Sequence, residues 1–222
     1  RNLIDRAVLD HADLDVEREC TLVDELPFDF QRRRMSVVVD YEGDHVLICK
    51  GAVEEIYASC THYQIGDEVY PLIPMIRADL FEEVERLNGD GFRVLGIAYR
   101  EFPREKRTFT TADESELILL GYIAFFDPPK IEAAKALNLL REAGVRVKVL
   151  SGDNHLVTRK VCRDVGLSTE RIVTGTELAG MSPELFSRTV KEADVFVKLS
   201  PAQKEEIVRN LRSNGHVVGF MG

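Results

Sequence analysis

The sequence predicts an α+β domain followed by a partial α/β domain, and two patterns support that reading. Up to about residue 116, short β-rich runs are paired around turn residues and separated by isolated helical stripes, the pattern of an antiparallel sheet with helices. From Leu117 onward, apolar runs alternate with helical patterns, which is the grammar of parallel strands joined by βαβ crossovers. The change of grammar sets the predicted domains at residues 1–116 and 117–222, the second Rossmann-like.

In the first half, Leu3, Ile4, Ala7 and Val8 have helical spacing, and that helix is expected to fade by Asp13. The stretch from Asp13 to Glu25 is acidic and weakly patterned, with no element assigned to it. Met35 to Tyr41 and His45 to Lys50 flank Glu42-Gly43-Asp44 and predict a hairpin. Gly51 breaks the second run, and Ala52 to Ser59 reads as a short helix. A smaller hairpin is expected over Tyr63 to Pro71, turning at Gly66-Asp67. Ile76, Leu80, Val84 and Leu87 form an amphipathic stripe that ends near Asn88-Gly89. Phe92 to Tyr99 is a strand, followed by a polar loop from Arg100 to about Ser115.

In the second half, Leu117 to Phe126 is an apolar strand closed by Asp127-Pro128-Pro129. Ile131, Ala134, Leu137 and Leu140 make a helix stripe stopped by Gly144. A strand from Val145 to Leu150 and a helix from His155 to Val165 come next, with Gly166 as the stop. Ile172-Val173 reads as a short strand, and Ser182-Pro183 opens a helix with serine as cap and proline in the first turn. Val195 to Leu199 is a strand, Ser200-Pro201 opens a helix to about Ser213, and Val217 to Met221 reads as a final strand.

A net charge of −9 argues against a nucleic-acid surface. No stretch approaches the roughly 18 apolar residues needed to cross a bilayer, and Arg1 to Leu14 has no signal-peptide core, so a soluble chain is expected. The four cysteines (Cys20, Cys49, Cys60 and Cys162) are scattered and read as reduced thiols, mostly buried. The five histidines (His11, His45, His62, His155 and His216) are too dispersed for a metal site and read as surface or helix-start residues.

Parallel strands deliver their carboxyl ends to one edge of the sheet, where ligands bind in open α/β folds. Asp127, Ser151-Gly152-Asp153 and Lys198 close successive strands, and Lys204 lies one short turn into the following helix. An acid beside two lysines at such an edge suits phosphoryl transfer. Each motif also has a plainer reading: Asp153 or Asn154 as a helix cap, and Asp127-Pro128-Pro129 as a rigid strand exit. In the first half, Lys50-Gly51 lets a ligand lie against backbone with a lysine at hand, or is an ordinary strand-to-helix turn. Phe28-Asp29-Phe30 runs into Arg32-Arg33-Arg34. Two of these arginines read as a solvated charge run, while one arginine with a phenylalanine suits a purine nucleotide.

Taken in order, Leu26 to Val37, Lys50-Gly51-Ala52, Phe92 to Leu95, Asp127-Pro128-Pro129, Ser151 to Asn154 and Lys198 to Lys204 resemble the P-type ATPases over nearly the whole chain. Phe28 to Ser36 and Gly121 to Pro129 are most similar to the bacterial magnesium-importing branch. The resemblance implies a nucleotide-binding domain followed by the C-terminal part of a haloacid dehalogenase-type phosphorylation domain. It implies that Phe28 stacks on adenine, that Lys50 and Gly51 line the nucleotide pocket, and that Arg93 contacts phosphate with Arg33 as helper. Asp5 is implied as an acidic adenine contact. Asp127, Ser151, Gly152 and Asp153 are implied to shape the phosphoryl site, with Lys204 steadying the phosphoaspartate. Ser151 stands where the family usually has threonine, and Lys198 where many members have arginine.

The implied ligands are ATP and Mg²⁺, with cation transport, of Mg²⁺ for this branch, as the parent's activity. The family's phosphorylated Asp-Lys-Thr-Gly-Thr motif is not in the sequence, and Gly222 falls where its later Gly-Asp-Gly motif begins. The chain is therefore expected to be a cytosolic piece of an integral membrane protein of the inner membrane, binding nucleotide without turning it over. Its implied partners are the parent's transmembrane and actuator domains, with no nucleic acid and no membrane insertion of its own. The alternative is a soluble haloacid dehalogenase-like phosphatase with the first half as cap. It requires an aspartate nucleophile in this chain, and Asp13-Leu14-Asp15 is rejected because no apolar strand precedes it.

Overall fold

The computed structural model of the chain describes residues 20–221. The helix expected over Leu3 to Val8, the candidate Asp5 and the Asp13-Leu14-Asp15 stretch lie outside the described residues. The described chain divides into two compact units, one of residues 20–84 and 94–125 and one of residues 85–93 and 126–221. No described helix is long and apolar enough to cross a membrane.

The first unit is built on a seven-stranded sheet. Its strands are β1 (Thr21–Asp29), β2 (Arg34–Tyr41), β3 (Asp44–Ala52), β4 (Cys60–Ile65), β5 (Glu68–Pro71), β6 (Phe92–Phe102) and β7 (Leu117–Phe126), in the order β1-β2-β3-β6-β7-β4-β5. Helix α1 (Val53–Ser59) follows β3 and α2 (Pro74–Gly89) follows β5. The β2–β3 hairpin closes through Glu42 and Gly43 at φ 52° and 95°, the double left-handed turn that matches the twist of the paired strands. One face of the sheet packs Val38, Leu47 and Cys49 against Ile56 and Tyr57 of α1 and Val84 of α2. Gly51 and Gly96 face each other across β3 and β6, and a Cβ on Gly96 would lie 2.9 Å from Ile56 Cβ. Bare backbone there lets α1 settle directly on the sheet.

Three features of this unit differ from expectation. β1 occupies a stretch to which the sequence assigns no element. It is an edge strand with a ladder broken at two places and mostly exposed side chains, so Pro27 and three acids fit it without cost to a core. β7, expected to open the second domain, lies inside the large sheet and pairs parallel with β4. His45 is not a surface residue: it is buried, with Nδ1 3.0 Å from the Lys106 carbonyl and its ring against Phe109.

The second unit holds a three-stranded sheet of β8 (Val149–Leu150), β9 (Ile172–Thr174) and β10 (Val195–Val197) in the order β8-β10-β9, with both pairings parallel. Its helices are α3 (Ala133–Glu142), α4 (His155–Asp164), α5 (Gly175–Ala179), α6 (Pro183–Glu192) and α7 (Pro201–Ser213). Phe186, Val190, Phe196 and Ile207 form one core cluster, and Cys162, Val195 and Val197 form another. That accounts for the unbroken apolar run of β10, which is buried along its whole length. Ser182 caps α6 and Ser200 caps α7, each with proline in the first turn, as predicted.

The strand expected from Val145 keeps only its last two residues, because its ladder partner β10 is itself short. Arg146 and Lys148 interrupt the run and turn to Asp194. The final strand expected over Val217 to Met221 does not form among the described residues: no ladder partner is paired with it, and Val217 and Met221 are fully or nearly fully exposed.

Candidate functional site

At one end of three adjacent strands, register places the first-unit candidates side by side. Asp29 pairs with Arg34, and Arg34 pairs with Gly51, so Phe28, Arg33, Lys50 and Gly51 lie within a residue of one line across β1, β2 and β3. The β1–β2 ladder is irregular between Leu26 and Asp29, which frees Phe28 from strict alternation. Its ring is half-exposed and meets Phe30 edge to face at 5.2 Å. Strand alternation puts Lys50 on the face opposite the buried Cys49 and Gly51. Gly51 has a local reason to lack a side chain, since a Cβ there would lie 2.6 Å from the Arg33 carbonyl oxygen and 2.5 Å from Arg34 Cβ.

The turn joining β1 to β2 is tied at several points. Asp29 Oδ1 accepts from the amides of Gln31 (2.8 Å) and Arg32 (2.7 Å), and hydrogen bonds from Arg32 above all hold its carboxyl below the usual range. Arg33 sits in the left-handed region at φ 50°, donating its amide to the Asp29 carbonyl and accepting from the amide of Ala52. Among the described residues its side chain enters no ion pair.

The other two arginines do not form a solvated run. Arg32 Nη1 and Arg34 Nε lie 2.5 and 2.9 Å from Glu114 Oε2, and Ser36 Oγ donates to Glu114 Oε1 at 2.8 Å. Arg34 also reaches Ser59 Oγ and the Glu55 carbonyl. Glu114 is 1% exposed. Burial pushes its carboxyl up, but hydrogen bonds from Arg32, Ser36 and Arg34 and the charge of Arg32 outweigh this and hold it below its ordinary value. Sequence reasoning missed Glu114, since nothing local marks one acid in a polar loop as the partner of arginines 80 and 82 residues away.

Within the second unit, Arg93 joins two of the predicted carboxylates. Its Nη1 lies 3.2 Å from Asp127 Oδ2 and its Nη2 lies 3.2 Å from Asp153 Oδ2. Arg93 thus lies with these two acids in the second unit. Ser151 Oγ donates to Asp153 Oδ2 at 3.0 Å and accepts from the Asp153 amide at 3.1 Å, fixing the carboxylate over the loop after β8. The loop after β10 is stitched to it: the amides of Lys198 and Leu199 donate to the carbonyls of Asp153 (2.8 Å) and Ser151 (3.0 Å). Lys198 takes φ 52° to do so. Asn154, not Asp153, caps α4, accepting from the amides of Leu156 and Val157. That leaves the Asp153 carboxylate for other partners. Gly152 lies on this same loop, 3.6 Å from the Leu199 carbonyl oxygen at its would-be Cβ. Lys204 stands at the third residue after the Ser200–Pro201 opening of α7, and its side chain makes no ion pair with Asp127 or Asp153.

No three carboxylate, histidine or cysteine groups converge as a metal-holding set among the described residues. Mg²⁺ takes one or two carboxylates together with substrate phosphates, and Asp127 and Asp153 share one arginine instead. The described residues do not by themselves make an Mg²⁺ cage.

A family model described as P-type ATPase, cytoplasmic domain N, matches residues 6–132. The whole chain is 41% identical to 25% of the Magnesium-transporting ATPase, P-type 1 of Escherichia coli (strain K12). It is 44% identical, again over all of this chain and 25% of the relative, to a protein of the same name from Salmonella typhimurium (strain LT2). Ninety percent of it is 27% identical to 23% of Calcium-transporting ATPase 1 of Bacillus cereus. The chain spans about a quarter of the length of the curated relatives it matches. These similarities do not favour a stand-alone phosphatase.

Proposed function

This chain belongs to the P-type ATPases, cytoplasmic domain N, and from that premise we propose that its first unit binds ATP for a cation-transporting parent. The observation that supports this best is the line of Phe28, Arg33, Lys50 and Gly51 across the ends of β1, β2 and β3. It sets an exposed aromatic ring, fit to stack on adenine, beside cationic side chains fit for phosphate. Asp5 is the proposed acidic contact to the base, and Arg93 a proposed phosphate contact.

The second unit is proposed to be the C-terminal part of a haloacid dehalogenase-type phosphorylation domain. In it Asp127, Ser151, Gly152 and Asp153 shape the phosphoryl site, and Lys204 neutralises charge on the phosphorylated group. The phosphorylated aspartate belongs to the parent and not to this chain, so the chain binds nucleotide without turning it over. When bound, Mg²⁺ would supply charge neutralisation on the nucleotide's phosphates. The parent is proposed to transport Mg²⁺, as the names of the relatives say of those proteins. It would hold this chain on the cytoplasmic side of the cell membrane beside its transmembrane and actuator domains.

Isothermal titration of the purified chain with Mg-ATP, paired with an assay for released phosphate, tests this. Saturable binding without phosphate release is expected. Absence of binding at millimolar nucleotide, or steady phosphate release, contradicts the reading.

A further inference from the structure

We propose that Glu114 is a positioning residue of the nucleotide site, a buried anion that sets the β1–β2 turn through Arg32 and Arg34. This inference rests on the nucleotide reading above. Its starting point is that the two arginines flanking Arg33 in sequence converge on one carboxylate oxygen. Arg32 is fastened a second time, donating Nη2 to the Pro27 carbonyl at 2.9 Å, one residue before Phe28. Phe28 and Arg33, two of the candidates for ligand contact, are therefore bracketed by groups that answer to Glu114.

The anion is itself on a rigid support. Thr110 and Asp113 form a capping box around the 3₁₀ turn Thr111–Asp113, Lys106 pairs with Asp113, and Ser115 Oγ donates to the Ala112 carbonyl at 2.8 Å. Arg100 pairs with Glu116 at 2.9 Å and donates to the Ser115 carbonyl at 2.8 Å, so the loop is held on both sides of Glu114. A buried ion pair is weak support for fold stability, because desolvation offsets much of the attraction. It is well suited to fixing geometry, since a bifurcated carboxylate admits few arrangements of two guanidinium groups. The arrangement leaves Arg33, at a left-handed φ of 50°, as the arginine of the three with no carboxylate partner among the described residues.

The experiment compares wild type, Glu114→Gln and Arg32→Gln for binding of Mg-ATP and of adenosine. All titrations run at a temperature where melting curves show each protein folded. Each variant is expected to weaken Mg-ATP by about tenfold, the scale of one charge-assisted hydrogen bond. Adenosine should weaken less, so that the ratio of the two affinities falls. A residue that only stabilises the fold would lower the melting temperature and leave that ratio unchanged. Wild-type affinities and ratio in the variants overturn this inference alone. If Glu114→Gln does not fold, Arg32→Gln, at a partly exposed position, decides the matter. Failure of wild type to bind Mg-ATP sinks the nucleotide reading instead, and is distinguished by that.

Discussion

Arg34 Nε and Glu114 Oε2 sit 2.9 Å apart although 80 residues separate them in sequence. The Glu114 carboxylate is wholly enclosed and also serves Arg32 and Ser36. Removing it takes the shared carboxylate from two partly buried guanidinium groups. Glu114→Ala is expected to destabilise the chain by about 3–5 kcal/mol, the scale for breaking a buried ion pair by deleting one partner, measured by urea unfolding. Glu114→Gln, which keeps the shape and one acceptor, is expected to cost less.

Acid titrates the same contact. The folded carboxyl of Glu114 lies below its ordinary value of 4.5, so the unfolded chain takes up a proton first as pH falls. Its contribution to stability is therefore fully present above pH 4.5 and is lost as pH drops through the folded value. Wild-type stability should fall across that window more steeply than that of Glu114→Gln, as read from unfolding curves at a series of pH values.

Gly51 is constrained by backbone rather than by turn angle. A Cβ there meets the Arg33 carbonyl and Arg34 Cβ at less than van der Waals distance, and none of these atoms is the far end of a flexible side chain. Gly51→Ala should therefore push β2 from β3 and cost about 1–3 kcal/mol, as overpacking does. It should also weaken nucleotide binding, because Arg33 moves with the strand. Thermal melts and ATP titrations on the same sample check both.

Phe28 offers the opposite combination. Its ring is half-exposed and touches Phe30, so Phe28→Ala should change stability by no more than about 0.5 kcal/mol. Loss of a stacking platform is worth about 1–3 kcal/mol per base, so ATP affinity should fall roughly tenfold or more. Equal losses in stability and affinity would show that Phe28 is a packing residue.

The pairs made by Arg93 are half-exposed and so contribute little to folding. Arg93→Ala should cost under about 1 kcal/mol. Chemical denaturation at low and high salt checks this, with the small difference shrinking as salt rises.

Local signals in the sequence were enough wherever an element is specified by its own residues. The Glu42-Gly43 turn, the Ser182-Pro183 and Ser200-Pro201 helix starts and the buried run of β10 all form where composition places them. What escaped was set by partners distant in sequence. β1 is a strand because β2 offers an edge, not because its own pattern alternates. β7 is claimed by β4 of the first unit despite an apolar run suited to either half. Val217 to Met221 has the composition of a strand and no ladder to join. At the candidate site, motif order singled out Phe28 on β1, Arg33 in the turn that follows and Lys50-Gly51 on β3. Glu114, which governs the turn geometry, was not legible, because charge complementarity between a loop acid and two of three neighbouring arginines leaves no trace in spacing.

Whether nucleotide binds across the ends of β1, β2 and β3 is tested most directly by amide chemical shifts during a Mg-ATP titration. Saturable shifts centred on Phe28, Arg33, Lys50 and Gly51 are predicted, spreading to Glu114 through its arginines. Saturable shifts that leave all of these amides still, or no response at millimolar nucleotide, would contradict it.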